Sequence, residues 1–435
     1  MRTTLLAALL SVPLCAQDLV PKGIDDKRPV LIRGALIHTV TRGTILGGTL
    51  WFQKGIIRGV HGPGEDPSLP GDGDAREVDA TNLHVYPGLI AAHSSLGLQE
   101  IGMVRQSVDL DEQGDLTPEA LAAVAINPDS AAIPVTRSNG VLAAAVFPQG
   151  GLMPGRCSLI RLDGWTNGDL AIVRDAGLVV SWPSKRTPRR GPPAARGRDG
   201  LAESEGRDRI AETLASARAW AAARAADESV PTDIRYEAMM PSIRGEKPTF
   251  FLADDQEQIE SAVRFAADEG LRAVIVGGRE SLACSALLTR HDVPVVLDGT
   301  HRLPSHEDSS CREPFELPSM LQSAGVRFCL ASGQPFYNER NLPYAAATAV
   351  AFGLDRQTAI EAMTIRAAEI LGAGDRLGSL EAGKEATLFI ADGSPLELTT
   401  RIRMAFVAGR EIDLRNKQTA LAEKYRARYR DSGRR

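Results

Sequence analysis

The sequence predicts an α/β protein: a large domain of strands alternating with helices, joined to a small β-domain built from both chain ends. Two observations predict it. From Pro87 onward, apolar runs of strand length alternate with stretches of helical periodicity. Before Pro87 and after Gly378, short apolar runs are instead separated by glycine-containing turns. A chain of 435 residues has room for two or three domains, or for one large α/β barrel with a smaller appended domain.

The first element is a targeting segment rather than part of the fold. Arg2 precedes the apolar run Leu5 to Leu14, and Cys15-Ala16 precedes the polar pair Gln17-Asp18. That order is the layout of a signal peptide over residues 1–16, and the run is shorter than the ~20 residues of a membrane span. An exported, periplasmic or extracellular protein is expected. The other cysteines, Cys157, Cys284, Cys311 and Cys329, form no dense framework and show no zinc-site spacing. Mostly buried single thiols are expected, with a Cys311–Cys329 bridge as the alternative. The net charge of −5 gives no global reason to expect a nucleic-acid or membrane-surface partner.

Residues 29–86 read as a strand meander. Val30-Leu31-Ile32, Ala35-Leu36-Ile37 and Thr49 to Phe52 are separated by Gly34, Gly47-Gly48 and Lys54-Gly55. Gly62 to Gly73 is a loop. The pattern returns in 378–412, with Leu388-Phe389-Ile390 and Ala405-Phe406-Val407 before a turn at Gly409. Neither half is large enough to stand alone, so the two are expected to share one domain.

Between them, over residues 87–377, Gly140 to Phe147 is a continuous apolar run, as in a strand buried on both faces. Thr249 to Leu252 is another. It is followed by Asp254 and Glu257 at capping-box spacing, then by Ile259, Ala262, Val263 and Ala266 on one helix face, and Gly270 closes the helix. Ala273–Val276, Val293–Leu297 and Val326–Leu330 repeat the strand signature. Residues 184–200, rich in Arg, Pro and Gly, read as a flexible basic insert, with a lid over an anionic ligand as the functional alternative. Residues 201–226 read as a polar helix, and 413–435 as a helical tail.

The run Pro87-Gly88-Leu89-Ile90-Ala91-Ala92-His93-Ser94-Ser95 resembles the first barrel strand of metal-dependent amidohydrolases, in their imidazolonepropionase-like and dihydroorotase-like branches. Ala368 to Gly372, Arg376 to Ala386 and Val407 to Glu411 are similar to that family in order and spacing. The resemblance implies a distorted (β/α)8 TIM-type barrel with a composite β-sandwich from both termini. It also implies a divalent metal, typically zinc, that activates water for hydrolysis of carbon–nitrogen bonds.

The ligand set is where the sequence departs from that family. His93 stands at the first histidine position, but Ser95 occupies the second and Ala91 the preceding acidic position. Leu252 and Gly277 stand where later strands would supply histidines, and Gln334 falls near the place of the final aspartate. No metal is therefore expected, with His93 as the sole candidate ligand. A rearranged site of His93, Asp298, His301 and His306 is the alternative, since the last three fall on a loop after a barrel strand. Against it stands the reading of these as hydrogen-bonded loop side chains. No Gly-x-Ser-x-Gly elbow suggests serine catalysis.

Two functional readings follow. In one, the barrel has lost metal-dependent hydrolysis and acts as a ligand-binding or partner subunit, in a homo-oligomer or with an active paralogue. In the other, it hydrolyses non-peptide carbon–nitrogen bonds through a rearranged or single-metal site, with zinc as cofactor.

Overall fold

In the computed structural model, which describes residues 20–65, 67, 69, 74–184 and 203–432, the strand-rich chain ends come together in one sheet. The signal segment 1–16 lies outside the described residues, as does nearly all of the basic insert 184–200. The N-terminal half contributes β1 (Val30–His38), β2 (Thr44–Gln53), β3 (Ile56–His61), β4 (Arg76–Asp79) and β5 (His84–Pro87). Lys54 and Gly55 both have positive φ, which fits the tight two-residue turn between β2 and β3. Gly34 marks no turn, because β1 runs through it with a register irregularity between Ile32 and Ala35.

Eight further strands form the barrel: β6 (Leu89–Ser94), β7 (Val141–Val146), β8 (Gly155–Arg161), β9 (Ala171–Ser181), β10 (Thr249–Ala253), β11 (Ala273–Gly277), β12 (Val295–Asp298) and β13 (Phe328–Ala331). The chain then returns to the terminal sheet as β14 (Leu388–Ala391), β15 (Ile402–Val407) and β16 (Arg410–Glu411). That sheet runs β16-β15-β14-β5-β1-β2-β3, with β4 on β1. The antiparallel β14–β5 pair, with Phe389 opposite Tyr86, joins the two chain ends. Val30, Ile32, Leu50, Phe52, Leu388 and Phe406 share its core.

The barrel sheet runs in chain order from β6 to β13. β13 lies beside β6, so the ring is nearly closed. Its distortion is local. β8 is antiparallel to both β7 and β9, while the other neighbouring pairs are parallel. Strict alternation of strand and helix from Pro87 therefore fails between Val141 and Ser181. Polar residues had hidden these strands. Arg156 pairs with Asp175 at 2.8 Å, and the buried Ser158 hydroxyl donates to the Arg174 carbonyl.

From β10 on, the expected units appear, with helices Gln256–Asp268, Ser285–Arg290 and Glu313–Ser323 between successive strands. The cap of the first is one residue later than its spacing suggested. Asp255 accepts from Gln258 N, and Gln258 Oε1 accepts from the Asp255 backbone. Asp254 is left to face the barrel mouth. Strand alternation splits the core in two. Ile90, Ala92, Phe147, Phe250, Val276, Val296 and Cys329 fill the barrel, while Leu89, Ala91, Phe251 and Leu297 pack toward the helices. This placement overturns the Cys311–Cys329 pairing: Cys329 points into the barrel, Cys311 is exposed on a loop, and both are free.

Candidate functional site

The C-terminal ends of the barrel strands form the mouth, where sites of this architecture lie. At the end of β6 the register against β7 shifts between Ala91 and Ser94. The irregularity turns His93 inward although Ala92 also faces the interior. The His93 ring stands edge-on to Phe147, with centroids 4.9 Å apart, and Phe147 in turn meets Phe250 at 5.3 Å. The floor of the mouth is thus a packed aromatic layer.

From β12, Asp298 reaches His93, whose Nδ1 donates to Oδ1 at 2.8 Å. About a quarter of each side chain remains accessible, 26% and 23% respectively. Burial opposes the imidazolium, but Asp298, with Glu339 and Asp254 behind it, outweighs that penalty and raises the His93 pKa.

Two acids that sequence reasoning missed complete the mouth. Glu339 lies on the 3-10 turn Phe336–Asn341 and is fully buried. Burial pushes its pKa up to about 7 against the opposing pull of the Ser332 and Ser94 hydroxyls and of His93. At neutral pH much of it is therefore an uncharged acid. Asp254 follows β10, and burial raises its pKa despite Arg279, whose Nε lies 3.4 Å from Oδ2. No periodic pattern marked Glu339, because Tyr337 and Arg340 beside it are exposed and the segment reads as a solvated loop.

Of the four candidate residues, the structure brings only His93 and Asp298 into direct contact. His301 Nε2 donates to Thr348 Oγ1 at 2.8 Å, a hydroxyl that itself donates to the Tyr344 carbonyl. His306 Nε2 pairs with Glu280 at 2.7 Å. Both histidines hold mouth loops to neighbouring elements.

The ligand positions named by resemblance are filled in other ways. Ala91 packs toward the helices. Ser95 lies beyond the end of β6 in a turn whose carbonyl accepts from Leu98 N. Leu252 packs on the interior cluster. At Gly277, with φ of 103°, a Cβ would lie 2.5 Å from Asp254 Oδ1. Asp254 thus occupies the space a side chain there would need. Gln334 Nε2 donates to the His301 carbonyl.

A catalytic divalent metal needs about three protein ligands converging on one point. Among the described residues, no group of three or more His, Cys, Asp or Glu side chains is arranged to hold a metal ion. The donor set does not fit the cation the resemblance implies. A cavity of about 700 Å³ lies at the opposite end of the barrel, lined by Pro248, Arg272, Pro294 and Arg327 just before β10 to β13. That face is distant in kind from a mouth site, since it gathers strand starts rather than strand ends.

A model of the amidohydrolase family matches residues 282–412. Amidohydrolase tasK of Hapsidospora irregularis is 24% identical over 85% of this chain, and the chain spans only 42% of that relative's length. Among solved structures, an amidohydrolase from Thermotoga maritima superimposes with a TM-score of 0.77 at 23% identity, covering 89% of this chain and 100% of the other. Molinate hydrolase superimposes at 0.55 with 16% identity, covering 90% and 96%. At these identities the structural likeness speaks to the fold.

Proposed function

We propose, from the premise that this chain belongs to the amidohydrolase superfamily, that it has given up metal-dependent hydrolysis. On this reading it serves in the exported compartment as a ligand-binding or partner subunit. One observation carries the proposal: the retained histidine, His93, is held by Asp298, and the groups around it do not converge on a metal position. Losing several ligands together removes both the affinity for a cation and the means of placing its water. What remains is a polar mouth that offers a hydrogen-bonded imidazole–carboxylate pair and a buried acid able to donate a hydrogen bond. Such groups suit recognition of a small polar ligand.

The competing reading, a hydrolase of non-peptide carbon–nitrogen bonds, has Asp254, Asp298 and Glu339 around His93 in its favour. Metal analysis separates the two. After dialysis against a mild chelator, the purified protein should carry well below one zinc, manganese or iron ion per chain. Added zinc should leave thermal stability unchanged, whereas a tight site at hundredfold excess over its Kd adds about 2.7 kcal/mol. A stoichiometric metal that is lost with His93→Ala or Asp298→Ala would refute the proposal in favour of the hydrolase.

A further inference from the structure

The C-terminal helix Lys417–Ser432 begins in a side-chain cap: Asn416 Oδ1 accepts from Thr419 N, and Thr419 Oγ1 accepts from Asn416 N. Beyond that cap, every side chain from Lys417 to Arg430 is exposed except that of Ala422. A helix of this length is marginal in water without a partner surface.

An amphipathic helix normally lays its apolar row on the protein body. This one does the reverse. Leu421, Tyr425 and Tyr429 recur every fourth residue and form a row about 12 Å long. They are 41%, 47% and 72% exposed. At about 100° per residue, Thr419 and Glu423 fall on the opposite side. Those two border a cavity of about 660 Å³ against Pro21, Lys22, Met404 and Ile412 of the body. The apolar row therefore lies on the side of the helix away from that cavity.

One edge of the row is basic: Lys417, Lys424 and Arg428 lie along it, while Arg426 and Arg430 fall on the side of Thr419 and Glu423. The helix carries five basic residues against Glu423 and Asp431, in a chain whose net charge is −5. Pairing of this row with a second copy of itself would bring like charges together, which argues against self-association. The row is also single, without the seam that a helix-binding protein groove reads at every third and fourth residue. Tyrosines in an outward row, with long cationic side chains along its edge, match the depth profile of a bilayer interface. Rings sit at headgroup level there, and Lys or Arg stems reach outward to phosphates.

The geometry points to the helix Lys417–Ser432 as a docking element for an anionic lipid surface, holding the barrel at a membrane peripherally. Charge dominates over insertion, because only three sizeable apolar side chains face outward. Binding is therefore salt-sensitive.

Vesicle co-sedimentation of the full-length chain tests this. At low salt, partitioning onto phosphatidylcholine vesicles containing phosphatidylglycerol should exceed that onto phosphatidylcholine alone by at least about tenfold. High salt should abolish the difference. The pair Lys424→Glu and Arg428→Glu should remove it as well, and Tyr425→Ser with Tyr429→Ser should weaken it several-fold. Because these side chains are exposed, the melting temperature should not change in either variant. Equal binding to both vesicle types, or no binding, overturns the proposal. So does concentration-dependent self-association that disappears with the tyrosine pair, which would identify a second copy as the occupant.

Discussion

Removing the carboxylate of Asp163 should be among the most damaging single changes in this protein. Asp163, on the turn between β8 and β9, is 3% exposed and gathers four parts of the chain. Its Oδ1 accepts from Gly23 N at 2.8 Å and lies 3.4 Å from Arg137 Nη1, while Oδ2 accepts from Arg410 Nε at 2.8 Å. Arg137 is fully buried and also donates to the Leu162 and Pro21 carbonyls. In Asp163→Ala that guanidinium stays buried without its hydrogen-bonded carboxylate. Breaking a buried pair in this way costs about 3–5 kcal/mol. The lost Gly23 contact adds about 1 kcal/mol, and the part-exposed Arg410 pair adds little. A loss of about 5 kcal/mol is a large share of the ~5–15 kcal/mol that holds a typical fold.

Urea unfolding followed by fluorescence and by far-ultraviolet dichroism measures it, the two probes testing whether both domains melt together. With a slope of about 3 kcal/mol per molar, the midpoint should fall by about 1.7 M. Adding Arg137→Met to the Asp163→Ala chain should recover much of the loss, since the uncompensated charge is what costs. A midpoint shift below about 0.3 M for Asp163→Ala would refute the reasoning.

Other outcomes follow from the same structure. Burial lowers the His38 pKa from 6.5 to about 4, with His84 adding a smaller push. A depressed histidine stabilises the fold fully above its unfolded pKa and loses that contribution as pH falls from about 6.5 toward 4. The full shift is worth about 3 kcal/mol, which partial solvent access reduces to about 1. His38→Gln should accordingly flatten the acid limb of the stability curve by that amount relative to the parent chain. Gly277→Ala combines a positive φ with contact against Asp254, and a loss of about 2 kcal/mol is expected in thermal melts. Asp254→Ala should relieve part of it, and additive losses would contradict the contact. Deleting residues 378–435 strips β14 from β5 and should give insoluble protein; a soluble, cooperatively folding truncation would argue against the shared terminal sheet.

What the sequence disclosed depended on how each element is buried. β10, its helix and β11 were legible because Thr249, Phe250 and Phe251, and all of Ala273 to Gly277, are buried. The helix between them also has one clean apolar face. Its cap was misread by one residue because Asp254-Asp255 offers two equivalent candidates, and only tertiary structure assigns one to the helix and the other to the mouth. β8 and β9 were illegible because Arg156 pairs with Asp175 across the two strands and Arg161 reaches Glu385 ahead of β14, partners that sequence spacing does not reveal. At the site, His93 and Asp298 could be named separately. Their contact, across 205 positions of chain, could not.

On the proposed reading, the charge of the mouth must be offset by the protein's own groups. Three acids gather there: Asp254, Asp298 and Glu339. In a metal site the cation would offset such charge. Here the offset is distributed. Arg279 stands beside Asp254, His93 donates to Asp298, and Glu339 lowers the remaining repulsion by keeping its proton with a pKa near 7. His93→Ala would remove one of these compensations, yet Glu339 can take up more of its proton in response. That buffering limits the expected loss to about 1 kcal/mol, the worth of one hydrogen bond. Because the His93 pKa is raised, the stability its charge contributes should be full below about 6.5 and be lost as pH rises through the raised value. A site that had depended on metal would have no such reserve, since carboxylates arranged as ligands repel one another once the cation leaves.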